Sequence, residues 1–131
     1  MSKRPAVSED LSRRERQIMD ALYRRRRATA AEIREDIPEA PSYSAVRTLL
    51  RILEEKGFIE HHEDGARYVY QPIAPLKTAR RAAAKRLLET FFEGSVPQAV
   101  ATLLDVSTAD LSDADLAELE MRIDKARKEG R

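Results

Sequence analysis

The sequence predicts a mainly helical protein that carries one small β-hairpin. Up to Gly57, apolar side chains recur at helical spacing behind Ser or Thr residues that can cap helices. After Gly57 the pattern changes to two short strand-like runs joined by Asp64-Gly65, a pair typical of tight hairpin turns. Helical spacing returns from about residue 76, which indicates three further helices.

The composition fits one or two small domains, because 42% of the 131 residues are hydrophobic. A formal charge of +1 excludes a general basic field, so any affinity for nucleic acid must come from local patches. The absence of cysteine excludes disulfides, zinc ribbons, iron–sulfur sites and thiol chemistry. No apolar run approaches the roughly 18 residues of a membrane span, and the N-terminus lacks the apolar core of a signal peptide. We therefore expect a cytoplasmic protein that does not associate with a membrane.

The first helix follows a polar segment, residues 1–10, that predicts a flexible tail. Ser12 and Glu15 have the spacing of a capping box, in which a hydroxyl and a carboxylate satisfy free N–H groups at a helix start. The helix ends in residues 24–27, four arginines that suggest a nucleic-acid patch, although for at least half of them the preferred interpretation is that they complement the helix dipole. Three arginines near its start oppose the dipole, and phosphate contact would explain them: Arg13, Arg14 and Arg16.

The next elements complete a recognisable order. Thr29 and Glu32 repeat the capping signal ahead of a short second helix, which the following prolines stop. Ser42 opens a third helix, which runs to about Lys56 and is closed by Gly57. Three helices followed by a hairpin are the order of a winged helix-turn-helix domain, which we place at residues 11–72.

The remaining chain, residues 73–131, predicts a separate helical domain of three helices behind a proline-marked connector. A helix trio of this size buries little apolar surface alone. Pairing with a second copy of the chain would cover that surface, so we expect a helical dimerisation domain. The dimer contacts that we predict are Leu87, Leu88, Phe91 and Leu103.

The third helix has the most informative surface. At about 100° per residue, Val46, Leu50 and Leu53 fall on one side, and short hydroxyls and long guanidinium groups fall on the other. Small polar side chains allow a helix to approach the major groove of DNA, and arginine pairs with guanine edges or phosphates. The DNA contacts that we predict are Ser42, Ser44, Arg47, Thr48, Arg51 and, from the hairpin, Arg67.

The hairpin offers further polar groups. Arg67 directly follows the turn, where it could reach a phosphate or the minor groove, or pair with Glu60 or Glu63 across the hairpin. His61 and His62 suggest a metal site, but consecutive strand residues point to opposite faces and cannot easily share one ion. A hairpin histidine near phosphate is therefore the preferred interpretation.

Nothing in the sequence indicates an enzyme. The two histidines are adjacent, and with four glycines the chain shows no glycine-rich phosphate loop. We therefore expect no catalytic residues, no metal and no cofactor. Two other functions stay open beside DNA binding: a winged-helix module that binds a protein partner, and a regulator that senses a small molecule. The third helix offers only Tyr43 as an aromatic contact for a protein, and the lack of tryptophan gives little support for an aromatic cavity.

The sequence resembles the penicillinase-repressor family of bacterial winged-helix regulators. The matching segments of the first domain keep their order and spacing; they are residues 11–19, 28–33, 42–57 and 64–70. The C-terminal part is similar in pattern at residues 91–95 and 111–116.

The resemblance implies a homodimer that represses transcription by binding a palindromic operator, with the C-terminal helices as the dimer interface. It places the predicted polar residues of the third helix at the positions that meet DNA. It also implies a signalling or protease partner, because family members that control β-lactam resistance are inactivated by cleavage in the C-terminal domain. No cleavage site aligns with residues 95–110, and the cysteine cluster of the copper-responsive branch is absent. The inducing signal therefore stays open.

Overall fold

A computed structural model describes residues 11–130, so the tail predicted for residues 1–10 lies outside the described residues. The fold is mainly helical with one antiparallel hairpin, as predicted. The elements in chain order are α1 (Arg13–Arg25), α2 (Ala30–Asp36), α3 (Tyr43–Glu55), β1 (Ile59–Asp64), β2 (Arg67–Pro72), α4 (Leu76–Phe91), α5 (Val96–Ser107), a short 3₁₀ helix (Thr108–Asp110) and α6 (Asp113–Glu129). Over residues 11–130, no helix has both the length and the apolar character that crossing a bilayer requires.

The predicted helix starts are confirmed by hydrogen bonds. Complete capping boxes form at α1, from Ser12 and Glu15, and at α2, from Thr29 and Glu32. At α3 the Ser42 hydroxyl accepts from the N–H of the third helical residue over 3.1 Å. Each cap stabilises its helix by about 1 kcal/mol. Since these signals act within four residues, the sequence alone locates the helix starts.

The hairpin pairs β1 with β2 from Ile59 opposite Pro72 to Asp64 opposite Arg67. Gly65 turns the chain with a φ of 65°, a conformation that side chains disfavour and glycine adopts readily. Behind the hairpin, Ala28 and Tyr70 exchange two backbone hydrogen bonds of 3.0 and 2.8 Å. These bonds attach β2 to the segment between α1 and α2, so the hairpin is joined to the helices by backbone as well as by side chains.

The hydrophobic core cluster lies entirely between Leu11 and Tyr70. Burying each large side chain stabilises the fold by about 1.5–3 kcal/mol. The largest fully buried side chains come from α1, α2, α3 and β1; they are Ile18, Leu22, Ile33, Val46, Leu50, Leu53 and Ile59. The helices and the hairpin thus form one core, and α3 has its position fixed by three of these side chains.

Polar contacts reinforce the packing of α1. The Arg14 guanidinium donates to the carbonyl oxygens of Pro38 and Glu39 over 3.1 and 2.9 Å. Arg25 donates to both carboxylate oxygens of Asp36, and this ion pair holds the pKa of Asp36 below its ordinary value. The Arg14 guanidinium therefore has a structural role, because it holds the chain after α2, and the phosphate contact considered for it stays a prediction.

The chain divides into two compact units, one extending to Arg86 and the other beginning at Leu87. In the second unit, Ala99 is the single buried residue among residues 87–130. The large apolar side chains of this second unit, including Phe91 at 74% exposure, are in contact with solvent. The domain boundary near residue 72, inferred from the prolines, stays a prediction.

Candidate nucleic-acid interface

The third helix is embedded by one face and open on the other. Val46, Leu50 and Leu53 are fully buried, whereas the opposite side of α3 is exposed. That exposed face carries Ser44, Arg47, Thr48 and Arg51, and Ser42 is exposed at its start. The structure therefore gathers the predicted residues of α3 on one solvent-facing surface. Their contact with DNA stays a prediction.

Two hydroxyls on this surface already form hydrogen bonds within α3. Ser42 uses its oxygen as an acceptor for the helix cap, which leaves its O–H free to donate. Thr48 donates its O–H to the carbonyl oxygen of Ser44 over 3.1 Å. With its O–H engaged, the exposed Thr48 side chain keeps an oxygen that can accept and a methyl group. Such a pair suits the amino group of adenine or the methyl group of thymine in the major groove.

The arginines of α3 are weakly held. The Arg51 guanidinium donates to Glu55 over 3.2 Å, and both side chains are mostly exposed. The Arg47 guanidinium lies 6.0 Å from the centre of the Tyr43 ring, at the outer limit of a cation–π contact. Exposed ion pairs contribute about 0–1 kcal/mol, so Arg51 can leave Glu55 for a phosphate or a guanine at little cost.

Arg67 is exposed at the turn of the hairpin and lies opposite Asp64, with 3.7 Å between its guanidinium and that carboxylate. The pairing with Glu60 or Glu63 that the sequence left open does not form. Glu60 accepts instead from the Gln71 amide, and Glu63 lies opposite Tyr68. Within residues 11–130, the ion pair of the Arg67 guanidinium is therefore one with an exposed neighbour across the turn.

A cleft of about 460 Å³ separates α3 from the hairpin. Its lining combines four of the predicted α3 residues and Glu54 of the same helix with side chains of the hairpin; together these are Ser44, Arg47, Thr48, Arg51, Glu54, His61, Tyr68 and Tyr70. A second cleft of about 360 Å³ is lined by both Arg47 and Arg67. The predicted arginine of the hairpin thus shares a surface depression with a predicted arginine of α3.

Sequence reasoning missed the group of side chains that joins the hairpin to α3. His61 donates a hydrogen bond from Nδ1 to the Glu54 carboxylate, and its ring stacks on Tyr68 with 4.2 Å between centroids. Tyr70, opposite His61 in the strand register, completes the cluster. Strand alternation places His61 and Tyr70 on one face, but the partner Glu54 depends on how β1 packs on α3. That packing has no signal within a few residues of the sequence.

Burial raises the pKa of the Tyr70 phenol above its ordinary value, against an opposing effect of the Arg47 charge. Tyr70 therefore stays neutral at physiological pH. The carboxylate of Glu54 is the acidic group of the cleft, and its bond with His61 holds it against the hairpin. Among residues 11–130, no three potential ligands gather into a site for a metal ion.

These features define a winged helix-turn-helix protein whose third helix presents hydroxyls and guanidinium groups, the class of DNA-binding transcriptional regulators. Residues 11–125 match the penicillinase repressor family, and the chain belongs to that family. No curated protein sequence matches it. Among solved structures, the chain is similar to TrmBL2, described as an archaeal chromatin protein with a novel mode of DNA binding. The similarity covers 81% of this chain at 24% identity with a TM-score of 0.44, and this chain spans 40% of that structure.

Proposed function

We propose that this regulator is a repressor that binds a palindromic operator as a homodimer. The observation that carries the proposal is the division of α3 into a fully buried apolar face and an exposed face of hydroxyls and arginines. The buried face holds the helix rigidly, and the exposed face has the small donors and planar cations that the major groove accepts. Tyr43 is the only aromatic side chain of α3, so a protein partner for the same face gains little support.

The predicted residues take distinct parts in this proposal. Ser42 donates to a phosphate at the start of α3, while Ser44 and Thr48 meet base edges. Arg47 and Arg51 pair with guanines or with phosphates. For the hairpin, the proposed contact is made by Arg67, which reaches a phosphate or the minor groove beyond the end of α3.

The proposed dimer rests on the second unit, within the predicted helical domain 73–131. Phe91 and Leu103 are 74% and 52% exposed, Leu87 is exposed and Leu88 is half-buried. So much exposed apolar surface on one small unit is typical of an interface. A two-fold pair would cover it and would present two copies of α3 to two half-sites, so the operator has matching symmetry.

The proposal also includes relief of repression. The regulator acts in the cytoplasm, where it meets the chromosome, and an unidentified signalling or protease partner releases it from the operator. Membership of the penicillinase repressor family supports this part.

Selection of bound genomic fragments at two salt concentrations tests the proposal. We expect enriched sequences with inverted half-sites roughly one helical turn apart, about 34–36 Å. Affinity falls as salt rises, because phosphate contacts release counterions. Transcription in vitro from a promoter that carries the enriched site should decrease when the protein is added. Enrichment of single, asymmetric sites, or no complex from folded protein in low salt, would contradict the proposal.

A further inference from the structure

The first part of α4 carries five cations and no carboxylate. These are Lys77, Arg80, Arg81, Lys85 and Arg86, and the sequence contains no acidic residue between Asp64 and Glu89. All five belong to the first compact unit, the one that contains α3 and the hairpin. All but Arg86 are exposed. A solvated helix normally mixes both signs of charge, so this composition needs a cause.

Four of the cations share one face of the helix, which we call the basic stripe: Lys77, Arg80, Arg81 and Lys85. At 3.6 residues per turn they lie within an arc of about 140° and extend over about 12 Å of the helix axis. The residues that follow Arg81 are Ala82, Ala83 and Ala84, whose short side chains leave the stripe unobstructed. The stripe therefore presents a row of positive charge to one side of α4.

The basic stripe has no ion-pair partner among residues 11–130, whereas three of the four cations on α6 and some cations of the first unit do. On α6, Arg122, Lys125 and Arg127 each lie within 3.9 Å of a carboxylate of the same helix. In the first unit, Arg25 and Arg51 are paired as well. Exposed cations on α6 therefore have carboxylates of the same helix nearby, whereas the exposed cations of the basic stripe on α4 do not.

The arrangement disfavours an isolated helix. Lys77 and Arg81, and likewise Arg81 and Lys85, are like charges one turn apart, and such pairs repel. Cations in the first turns also oppose the helix dipole, and α4 has no acidic residue in its first turn. A ligand with several regularly spaced negative charges would relieve both effects.

We propose that the basic stripe binds backbone phosphates of duplex DNA beside the segment that α3 reads. This inference rests on the proposed function and adds a second, sequence-independent contact surface to it. DNA offers one negative charge per about 1.7 Å of its axis, which matches a row of cations rather than a single one.

The attachment of α4 to the DNA-reading unit supports this choice of partner. The stripe begins soon after β2 ends at Pro72. The connector is held to the body by a hydrogen bond of 3.0 Å from the Tyr23 hydroxyl to the Ala74 carbonyl oxygen. A second bond of 3.0 Å runs from the Ile73 N–H to the Phe58 carbonyl oxygen. The start of α4 is therefore fixed on the same body that carries α3.

The test compares two full-length variants that lose the same charge. The stripe variant is Lys77→Gln, Arg80→Gln, Arg81→Gln and Lys85→Gln, and the control is Arg122→Gln, Lys125→Gln, Arg127→Gln and Lys128→Gln on α6. Affinity is measured over a series of salt concentrations for a long random-sequence duplex and for a duplex enriched by the wild type. We expect the stripe variant to lose at least about tenfold on both duplexes, with a salt slope shallower by about 0.9 for each lost contact. The control should keep the wild-type values.

The outcomes separate this inference from the proposed function. If the wild type binds neither duplex, the proposed function and the stripe contact are both contradicted. If the wild type binds and the stripe variant behaves like the control variant, only the stripe contact is contradicted. Stripe-dependent binding to vesicles of anionic phosphatidylglycerol, with unchanged affinity for DNA, would overturn it in favour of a membrane surface. Circular dichroism confirms that each variant folds. The double variants Lys77→Gln/Arg81→Gln and Arg80→Gln/Lys85→Gln should each give about half of the change in slope.

Discussion

Arg51 illustrates how a single side chain can be held in place yet remain available. Its partner Glu55 lies one turn further along α3, and the Arg51 side chain is 67% exposed. Because water screens an exposed ion pair, the bond to Glu55 orients the guanidinium but contributes little binding energy. The fold therefore presents an ordered arginine that DNA can recruit.

We predict that Arg51→Ala weakens binding to the enriched duplex by about 1–3 kcal/mol for each specific contact and leaves thermal unfolding unchanged. Titrations with enriched and random duplexes at constant salt measure the effect. Glu55→Ala is the matched control, since it breaks the same ion pair and keeps the guanidinium, and it should bind as tightly as the wild type or more tightly. An equal loss on both duplexes would show that Arg51 contacts only phosphate.

His61 and His62 have different surroundings although they are neighbours. His61 contacts Glu54 and Tyr68 and so connects the hairpin with α3. His62 is exposed and lies opposite Val69 on the other face of the hairpin. The two positions therefore form a natural pair for testing whether the hairpin must be held.

We predict that His61→Ala weakens binding to the enriched duplex by about 1 kcal/mol, roughly fivefold, because the hairpin loses its bond to α3 and Glu54 turns free in the cleft. His62→Ala should bind like the wild type. Electrophoretic mobility shifts of both variants at one salt concentration check this. Equal losses for the two variants would refute a positioning role of His61.

Between elements, one ion pair connects the start of α1 with the end of α3. Glu15 is buried at the α1 cap and accepts from Lys56 over 2.8 Å and from the Ser12 N–H over 2.9 Å. Burial acts to raise the pKa of Glu15, but the hydrogen bonds from Lys56 and Ser12 outweigh it and hold this pKa below its ordinary value. A carboxyl with a lowered pKa stabilises the fold above its unfolded pKa and loses that effect as the pH falls through the folded value.

We predict that Lys56→Met lowers the free energy of unfolding by about 1–3 kcal/mol at neutral pH, because Glu15 is left buried without its cation. The difference from the wild type should vanish in acid, where Glu15 is protonated in both proteins. Urea unfolding at several pH values measures it, and Lys128→Met on the exposed face of α6 is the control. A difference independent of pH would mean that the Lys56 stem, rather than its charge, stabilises the fold.

The elements themselves were predictable, because their signals are local. The Ser12 cap, the Asp64-Gly65 turn and the apolar spacing of α3 each act within a few residues, and each is confirmed. Contacts between distant residues were not predictable. The bonds from Arg14 to Pro38 and Glu39 join positions 24 and 25 residues apart, and they depend on how α1 packs beside the end of α2.

For the whole molecule, the two units differ in how they bury apolar surface. The first encloses a complete core, whereas the second exposes most of its large apolar side chains, with Val106 at 74% exposure as a further example. If this surface forms the proposed dimer interface, stability depends on association, and therefore on protein concentration. In the proposed dimer, operator affinity depends on the same surface, because dimerisation supplies the effective concentration of the second half-site.

We predict that Phe91→Asp yields monomers that bind the enriched duplex weakly, because a charge replaces the most exposed apolar side chain of α4. Light scattering at micromolar concentration and DNA titration measure the two effects. Thr90→Asp adds the same charge at the adjacent exposed position and should remain dimeric. A monomeric wild type under these conditions would remove this account.

The self-contained core of the first unit also bears on the inactivation of the proposed repressor. Every member of the core cluster lies between Leu11 and Tyr70, so a chain severed after α4 begins would keep its fold and its α3 surface intact. Such a fragment would lose the partner subunit of the proposed dimer, and its residence time on the operator would fall sharply. For the proposed repressor, induction would then require only separation of the two subunits, while the first unit stays folded.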